Sequence, residues 1–231
     1  MYPNVQAYDR GMMFSPDGQL FQVEYAKAAV RKGATAVGIV AKDSIVLAAH
    51  KNITEPLVVP QTFQKIFRVD SHIGSTYSGI VSDGLHLISS MRNKTQTHRM
   101  VYNETESVET LAREISDDMQ VATQYGGVRP YAVSLLIGGI NASPMLFEVD
   151  PSATPMGYKA DAIGMGKKQA GDILAGGYKD GMSIDNAIAL GIEAIKKSAD
   201  SKIKENNLDV SIITRSNGFE AFGPEKIATY L

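Results

Sequence analysis

The chain has 231 residues, 44% of them hydrophobic and 21% charged, with 21 Gly and 9 Pro. That composition is too apolar and too nearly neutral for disorder, and the length suits one domain with a large core. A formal charge of −2 gives no electrostatic footprint for nucleic acid or an anionic membrane. The absence of Cys removes disulfides, thiolate nucleophiles and Cys-ligated zinc together. The leading MYPNVQAYDR lacks the basic and apolar regions of a signal peptide, and no run approaches the ~20 apolar residues of a membrane span. The expectation is a soluble, cytoplasmic protein.

Residues 1–14 are polar and irregular and are expected to form a loose tail. Ser15-Pro16 offers a hydroxyl cap and a proline for the start of a helix over 15–33, with Gly33 as its stop. Within it Phe21, Tyr25, Ala28 and Ala29 share an apolar stripe, and Glu24, Lys27 and Arg31 a polar ridge. Short β-branched runs follow at Thr35–Val40, Ser44–Ala49, Lys65–Val69 and His72–Tyr77. Helical spacing returns over 80–101 and 106–124, then strands over Tyr131–Ile140 and Met145–Val149, joined around Asn141–Pro144. A strand is expected over Tyr158–Ile163, helices over 167–178 and 183–200, strands over 209–214 and 219–222, and a short helix from Pro224. Strands segregated from paired helices argue for sheets covered by helical layers rather than a βαβ parallel sheet. No linker or repeat interrupts the chain, so one domain is expected over 1–231.

Few motifs carry chemistry. Gly164-Met-Gly166-Lys-Lys-Gln-Ala-Gly171 misses both glycine-loop patterns, because Asp161 and Gln169 occupy positions where glycine is required. It reads as a strand-to-helix turn. His50, His72, His86 and His98 show no metal-ligand spacing, and Asp117 and Asp118 point in different directions on a helix. No GxSxG elbow occurs.

Three segments are specific: Tyr8-Asp9-Arg10, FSPDGQLFQVEYA at 14–26 and YGGVRPY at 125–131. They resemble landmarks of archaeal-type proteasome α subunits, and the likeness runs nearly end to end through Asp150-Pro151, Tyr158-Lys-Ala160 and Ile163–Gly166. The resemblance implies an α+β fold, the four-layer α-β-β-α sandwich of the N-terminal-nucleophile hydrolases, with an extra N-terminal helix. It implies no cofactor and no catalysis in this chain. In the related β subunits a threonine freed by propeptide removal attacks the peptide bond, with its own amine as base. Gly33-Ala34-Thr35-Ala36 looks like that first strand, which puts Ala34 in the nucleophile's place and leaves Thr35 one position off, facing the other way.

The resemblance also implies an activator-tail pocket between neighbouring subunits, formed by Lys65, Gly79, Ile80 and Glu24. There Lys65 would pair with the terminal carboxylate of a hydrophobic-tyrosine-any tail on a regulatory ATPase. On residue chemistry alone Lys65 is an ordinary strand-edge lysine. Tyr8, Asp9, Arg10, Pro16 and Tyr25 match a gate, and Tyr125, Gly126, Gly127, Arg129 and Pro130 a loop that narrows the entry channel. The implied partners are copies of this chain in a homoheptameric ring, proteasome β subunits, the ATPase and unfolded polypeptide. The chain departs from the family pattern in three places. One residue fewer separates Arg10 from Phe14, Gln19 replaces a basic residue, and Ala132 replaces a glycine. Two other readings stand beside this one: a threonine hydrolase using Thr35, and an inert ring without gating.

Overall fold

The computed structural model describes residues 8, 11, 13–53, 55, 57–199 and 203–231. Its elements are α1 (Phe21–Val30), β1 (Ala36–Val40), β2 (Ser44–His50), β3 (Ile66–Asp70), β4 (Ile73–Gly79), α2 (Val81–Tyr102) and α3 (Val108–Val121). There follow β5 (Val133–Ile140), β6 (Pro144–Val149), β7 (Pro155–Gly157), β8 (Ala160–Ile163), α4 (Lys167–Gly177), α5 (Ile184–Ser198), β9 (Leu208–Thr214), β10 (Gly218–Ala221) and α6 (Pro224–Ala228).

The strands form two five-stranded sheets, β10-β9-β2-β1-β8 and β3-β4-β5-β6-β7. Every pairing is antiparallel. Side-chain alternation explains the layering. In β2, Ile45, Leu47 and Ala49 face the second sheet, while Val46 and Ala48 join the core beneath α4 and α5. In β5, Leu136 and Ile140 face inward, while Val133, Leu135 and Ile137 join Leu87, Met91, Leu111 and Ile115 beneath α2 and α3. Both faces of these central strands are covered, so they read as unbroken apolar runs. The result is the expected four-layer α-β-β-α sandwich.

Local chemistry sets most boundaries. Ser107 caps α3 by accepting the Thr110 N–H, and Ser183 caps α5 by accepting the Asn186 N–H. Asn103 ends α2 in the left-handed conformation at φ 55°, its N–H bonded to Arg99 O. The expected strand over 158–163 is shortened to β8, and β7 precedes it as a strand that the sequence reading did not expect.

The N-terminal helix differs from expectation. It begins at Phe21, and Leu20, with no side-chain cap, precedes it. Residues 15–18 form a tight turn instead: the Gly18 N–H donates to Ser15 O at 2.8 Å, and Gly18 sits at φ 74°. Pro16 thus occupies the second turn position, which its fixed φ also favours. The Ser15 hydroxyl accepts from Gln19 N at 3.1 Å within that turn, and so does not start a helix. The buried face of α1 is Val23, Ala26 and Val30, whereas Tyr25 of the expected stripe is exposed.

Candidate functional site

The residues of interest gather at one end of both sheets. Ala36 pairs with Ile163 where β1 starts and β8 ends, and Gly79 pairs with Val133 where β4 ends and β5 starts. Ser78 ties these ends together, its hydroxyl donating to Ala34 O at 3.0 Å. Helix α1 packs across this end, against β4 and β5.

Ala34 supplies no hydroxyl where a nucleophile would stand. Thr35 is only 3% exposed, and its Oγ1 accepts the Gly166 N–H at 3.0 Å. The Met165 N–H donates to Gly33 O at 2.8 Å, so residues 33–35 are stitched to the turn at 164–166. That turn links β8 to α4, as expected of a strand-to-helix connection. With its amine in a peptide bond and its hydroxyl buried, Thr35 lacks both features of an N-terminal nucleophile. Thr35→Ala is expected to cost about 1–3 kcal/mol by orphaning the Gly166 N–H. The purified chain is expected to show no peptide hydrolysis with either residue, and hydrolysis by the parent that disappears in Thr35→Ala would restore Thr35 as a nucleophile.

Lys65 lies just before β3 and is 3% exposed. Its Nζ donates to Tyr77 O at 2.8 Å and sits 4.0 Å from the centre of the Tyr77 ring. The Lys65 N–H donates to Asp209 Oδ2 at 2.7 Å, and Asp209 Oδ1 pairs with Lys51 at 2.6 Å. Burial lowers the Lys65 pKa to about 8, against the opposing pull of Asp209. Burial lowers His50 as well, with the Lys65 charge adding to it. Because the folded value lies below the unfolded one near 10.5, the cost of burying this ammonium is fully felt below about pH 8. Stability from this group therefore rises with pH between those values.

Two residues beyond Tyr77, Gly79 turns at φ 123° into Ile80, which stands exposed at the start of α2 beside exposed Val81 and Leu85. Glu24 on α1 pairs with Lys27 at 3.2 Å. Of the expected gate, Tyr8 is half-buried, Pro16 sits in the 15–18 turn and Tyr25 is exposed, whereas Asp9 and Arg10 lie outside the described residues. A cavity of about 370 Å3 runs from Phe14 and Gly18 past Val23 and Glu24 to Thr123.

The expected channel loop is anchored by a residue that no sequence motif singles out. Arg129 donates through Nη1 and Nη2 to Asp83 Oδ2 and Oδ1 at 2.6 and 2.7 Å, and the Ala132 N–H donates to Asp83 Oδ2 at 2.9 Å. Burial pushes the Asp83 carboxyl up, but the Arg129 fork and the Ala132 N–H outweigh it and hold it below the usual carboxylate range. Pro130 is buried beneath this staple, while Tyr125, Gly126 and Gly127 stand exposed at the loop tip. No local pattern marks Asp83, because its partner is 46 residues away.

Among the described residues no group of three His, Asp or Glu could hold a metal ion, and no helix is long and apolar enough to cross a membrane.

Residues 30–213 match the family described as proteasome subunit, and residues 8–29 match the N-terminal signature of the A-type proteasome subunits. The chain is 44% identical over 227 residues to the proteasome alpha subunit of Methanosarcina mazei, covering 97% of this chain and 91% of the relative. It is 42% identical over 231 residues to that of Pyrococcus abyssi, covering 99% and 88%. Against that of Archaeoglobus fulgidus the identity is 42% over 226 residues, covering 97% and 92%. The chain belongs to the proteasome subunit family and carries the N-terminal signature of its α-type members.

Proposed function

We propose that the chain is a non-catalytic α subunit of a proteasome core particle that forms a homoheptameric outer ring on proteasome β subunits. In that ring it gates the entry of unfolded polypeptide and receives the C-terminal tails of a regulatory ATPase. The observation that carries this reading is the α-type signature over 8–29, joined without a gap to a match over 30–213; in keeping with it, Ala34, the residue that the resemblance sets in the nucleophile's place, has no hydroxyl. Head-to-tail rings need two different faces on each copy, and α1, packed across one end of the sandwich, offers one of them. The 15–18 turn and Tyr25 would support the gate, and the Arg129-anchored loop would narrow the channel. Electron micrographs of the purified chain, alone and with the cognate β subunit, are expected to show seven-fold rings. Micrographs without rings, together with a native mass of one chain in both samples, would overturn this reading.

The tail pocket has its own test. Lys65 Nζ is satisfied within the chain by Tyr77 O, so docking requires the ammonium to exchange that carbonyl for the tail carboxylate. An ionised acceptor makes the stronger bond, which favours the exchange. Lys65→Met keeps the apolar stem and removes the charge. ATPase-stimulated degradation by the assembled particle is expected to weaken roughly tenfold or more, with ring assembly and short-peptide hydrolysis retained. Unchanged stimulation would remove Lys65 from the pocket.

A further inference from the structure

At the end of the sheets crossed by α1, two features stand on opposite sides of the first sheet. Strand β9 starts at Leu208 beside His50, and β8 ends at Ile163 beside Ala36, with β2 and β1 between them. On the β9 side the chain leaves β2 as a loop over 51–65. Lys51 holds its base: the N–H donates to Asn207 O at 2.6 Å, and Nζ pairs with Asp209 at 2.6 Å. The tip is apolar, with Leu57 94% exposed and Val58 and Val59 exposed beside it. The Val58 N–H donates to Glu55 O at 3.3 Å, a turn that keeps the exposed Glu55 two residues from Leu57.

On the β8 side a cavity of about 380 Å3 opens between α1, the end of β6 and the turn after β8. Val30, Pro151, Ile163 and Met165 form its apolar wall, and Met165 is half exposed. A flexible thioether adapts well to an irregular partner surface. Four cations also line the cavity. Two of them are already paired, Lys27 with Glu24 at 3.2 Å and Lys167 with Glu148 at 2.8 Å. The other two, Arg31 and Lys168, are exposed and have no ion-pair partner among the described residues. The remaining carboxylate, Asp150, is engaged by the N–H and hydroxyl of Ser152.

The arrangement names the occupant. Apolar residues exposed singly need no explanation, whereas three in succession at a loop tip mark a contact. A closed head-to-tail ring sets one patch of each copy against a different patch of the next. The loop tip and the cavity are different patches, level with each other at one end and on opposite sides of the sheet. They are also complementary, an apolar tip with one carboxylate against an apolar wall rimmed by two unpaired cations. Another exposed apolar run, Met100–Tyr102, closes α2 at ~30 Å along that helix from this end, and so is not level with the cavity.

We propose that the loop tip at 55–59 of one copy seats in the cavity beside α1 of the next copy, with Leu57 on the apolar wall and Glu55 between Arg31 and Lys168. This contact rests on the ring reading and supplies the two faces that such a ring requires.

Two experiments test it, both on the full chain alone and with the cognate β subunit. In the first, Glu55→Arg, or Arg31→Glu with Lys168→Glu, should raise the chain concentration at which half the chains are in rings by about tenfold or more. Combining all three substitutions should bring it back to within about threefold of the parent, since the opposed charges are exchanged. All three side chains are exposed, so thermal melts of the dissociated chains should not change. The second uses the absence of Cys from the chain. Leu57→Cys with Met165→Cys, treated with a short bis-maleimide, should give a denaturing-gel ladder reaching seven linked chains, whereas either single variant can give dimers at most. Seven-fold rings that show neither the ladder nor the charge-exchange rescue would overturn the contact and leave the ring reading standing. Links within one chain, or between this chain and the β subunit alone, would overturn it too. A native mass of one chain for the parent in both samples would overturn the ring reading and this contact together.

Discussion

Gly79→Ala is expected to cost roughly 3–5 kcal/mol and to lower the melting temperature by roughly 10 °C, from backbone strain and overpacking combined. Gly79 sits at φ 123°, a conformation that L side chains rarely adopt. A Cβ there would run into the Ala132 carbonyl oxygen and come within 2.9 Å of Val133 Cα. Both are main-chain atoms of the partner strand region and cannot rotate aside. The Ala132 carbonyl also accepts the Ile80 N–H at 2.9 Å, so moving it breaks the bond that leads the chain from β4 into α2. Gly126→Ala is the control: a Cβ there meets nothing within 4 Å, and its cost should stay within about 0.5 kcal/mol. Thermal melts of the two variants check this directly, and equal melting temperatures would refute it. The result bears on function, because a lost activator response in Gly79→Ala reports first on this junction and only then on docking.

Period-2 and period-3.6 patterns make the sandwich legible. Residues 44–49 and 131–140 announce strands through their apolar, partly β-branched runs, and helical spacing announces the helices over 106–124 and 183–200; the capping roles of Ser107 and Ser183 show only in the structure. The start of α1 is not legible in the same way, because Ser-Pro suits a turn as well as a helix N-terminus, and only Gly18 at φ 74° distinguishes the two. The stripe on α1 misleads for a related reason. Bulk points to Phe21 and Tyr25, but a helix lying close over strand ends buries its smaller residues, Val23, Ala26 and Val30.

The candidate site is legible mainly where a residue can be matched to a family motif. Its internal partners are not. Lys65 meets Asp209 across 144 residues, His72 meets Glu106 across 34, and Arg129 meets Asp83 across 46. Sequence periodicity reports neighbours on one element and carries no information about such closures. The histidines illustrate the point: their spacing gives no metal frame, yet the fold brings His72 and His98 to the same buried glutamate.

Asp83→Asn is expected to cost about 2–3 kcal/mol at pH 7, because charge-assisted bonds are roughly twice as strong as neutral ones. The change keeps the shape but removes the charge that holds the Arg129 fork. Arg129 is 55% exposed, so part of the pair's attraction is screened by water, which keeps the figure below that of a fully buried pair. The pH dependence fixes the cause. The folded Asp83 pKa lies below the unfolded value near 4, so the carboxylate's contribution is fully present above about pH 4 and is lost as pH falls through the folded value. Urea midpoints of parent and variant should therefore differ most at neutral pH and converge toward pH 3. The same variant should be cut faster by protease within 122–131, since that loop loses its link to α2 while the sandwich core stays intact. A stability gap that is unchanged between pH 7 and pH 3 would assign the effect to packing, and unaltered cleavage would show that Arg129 does not hold the loop.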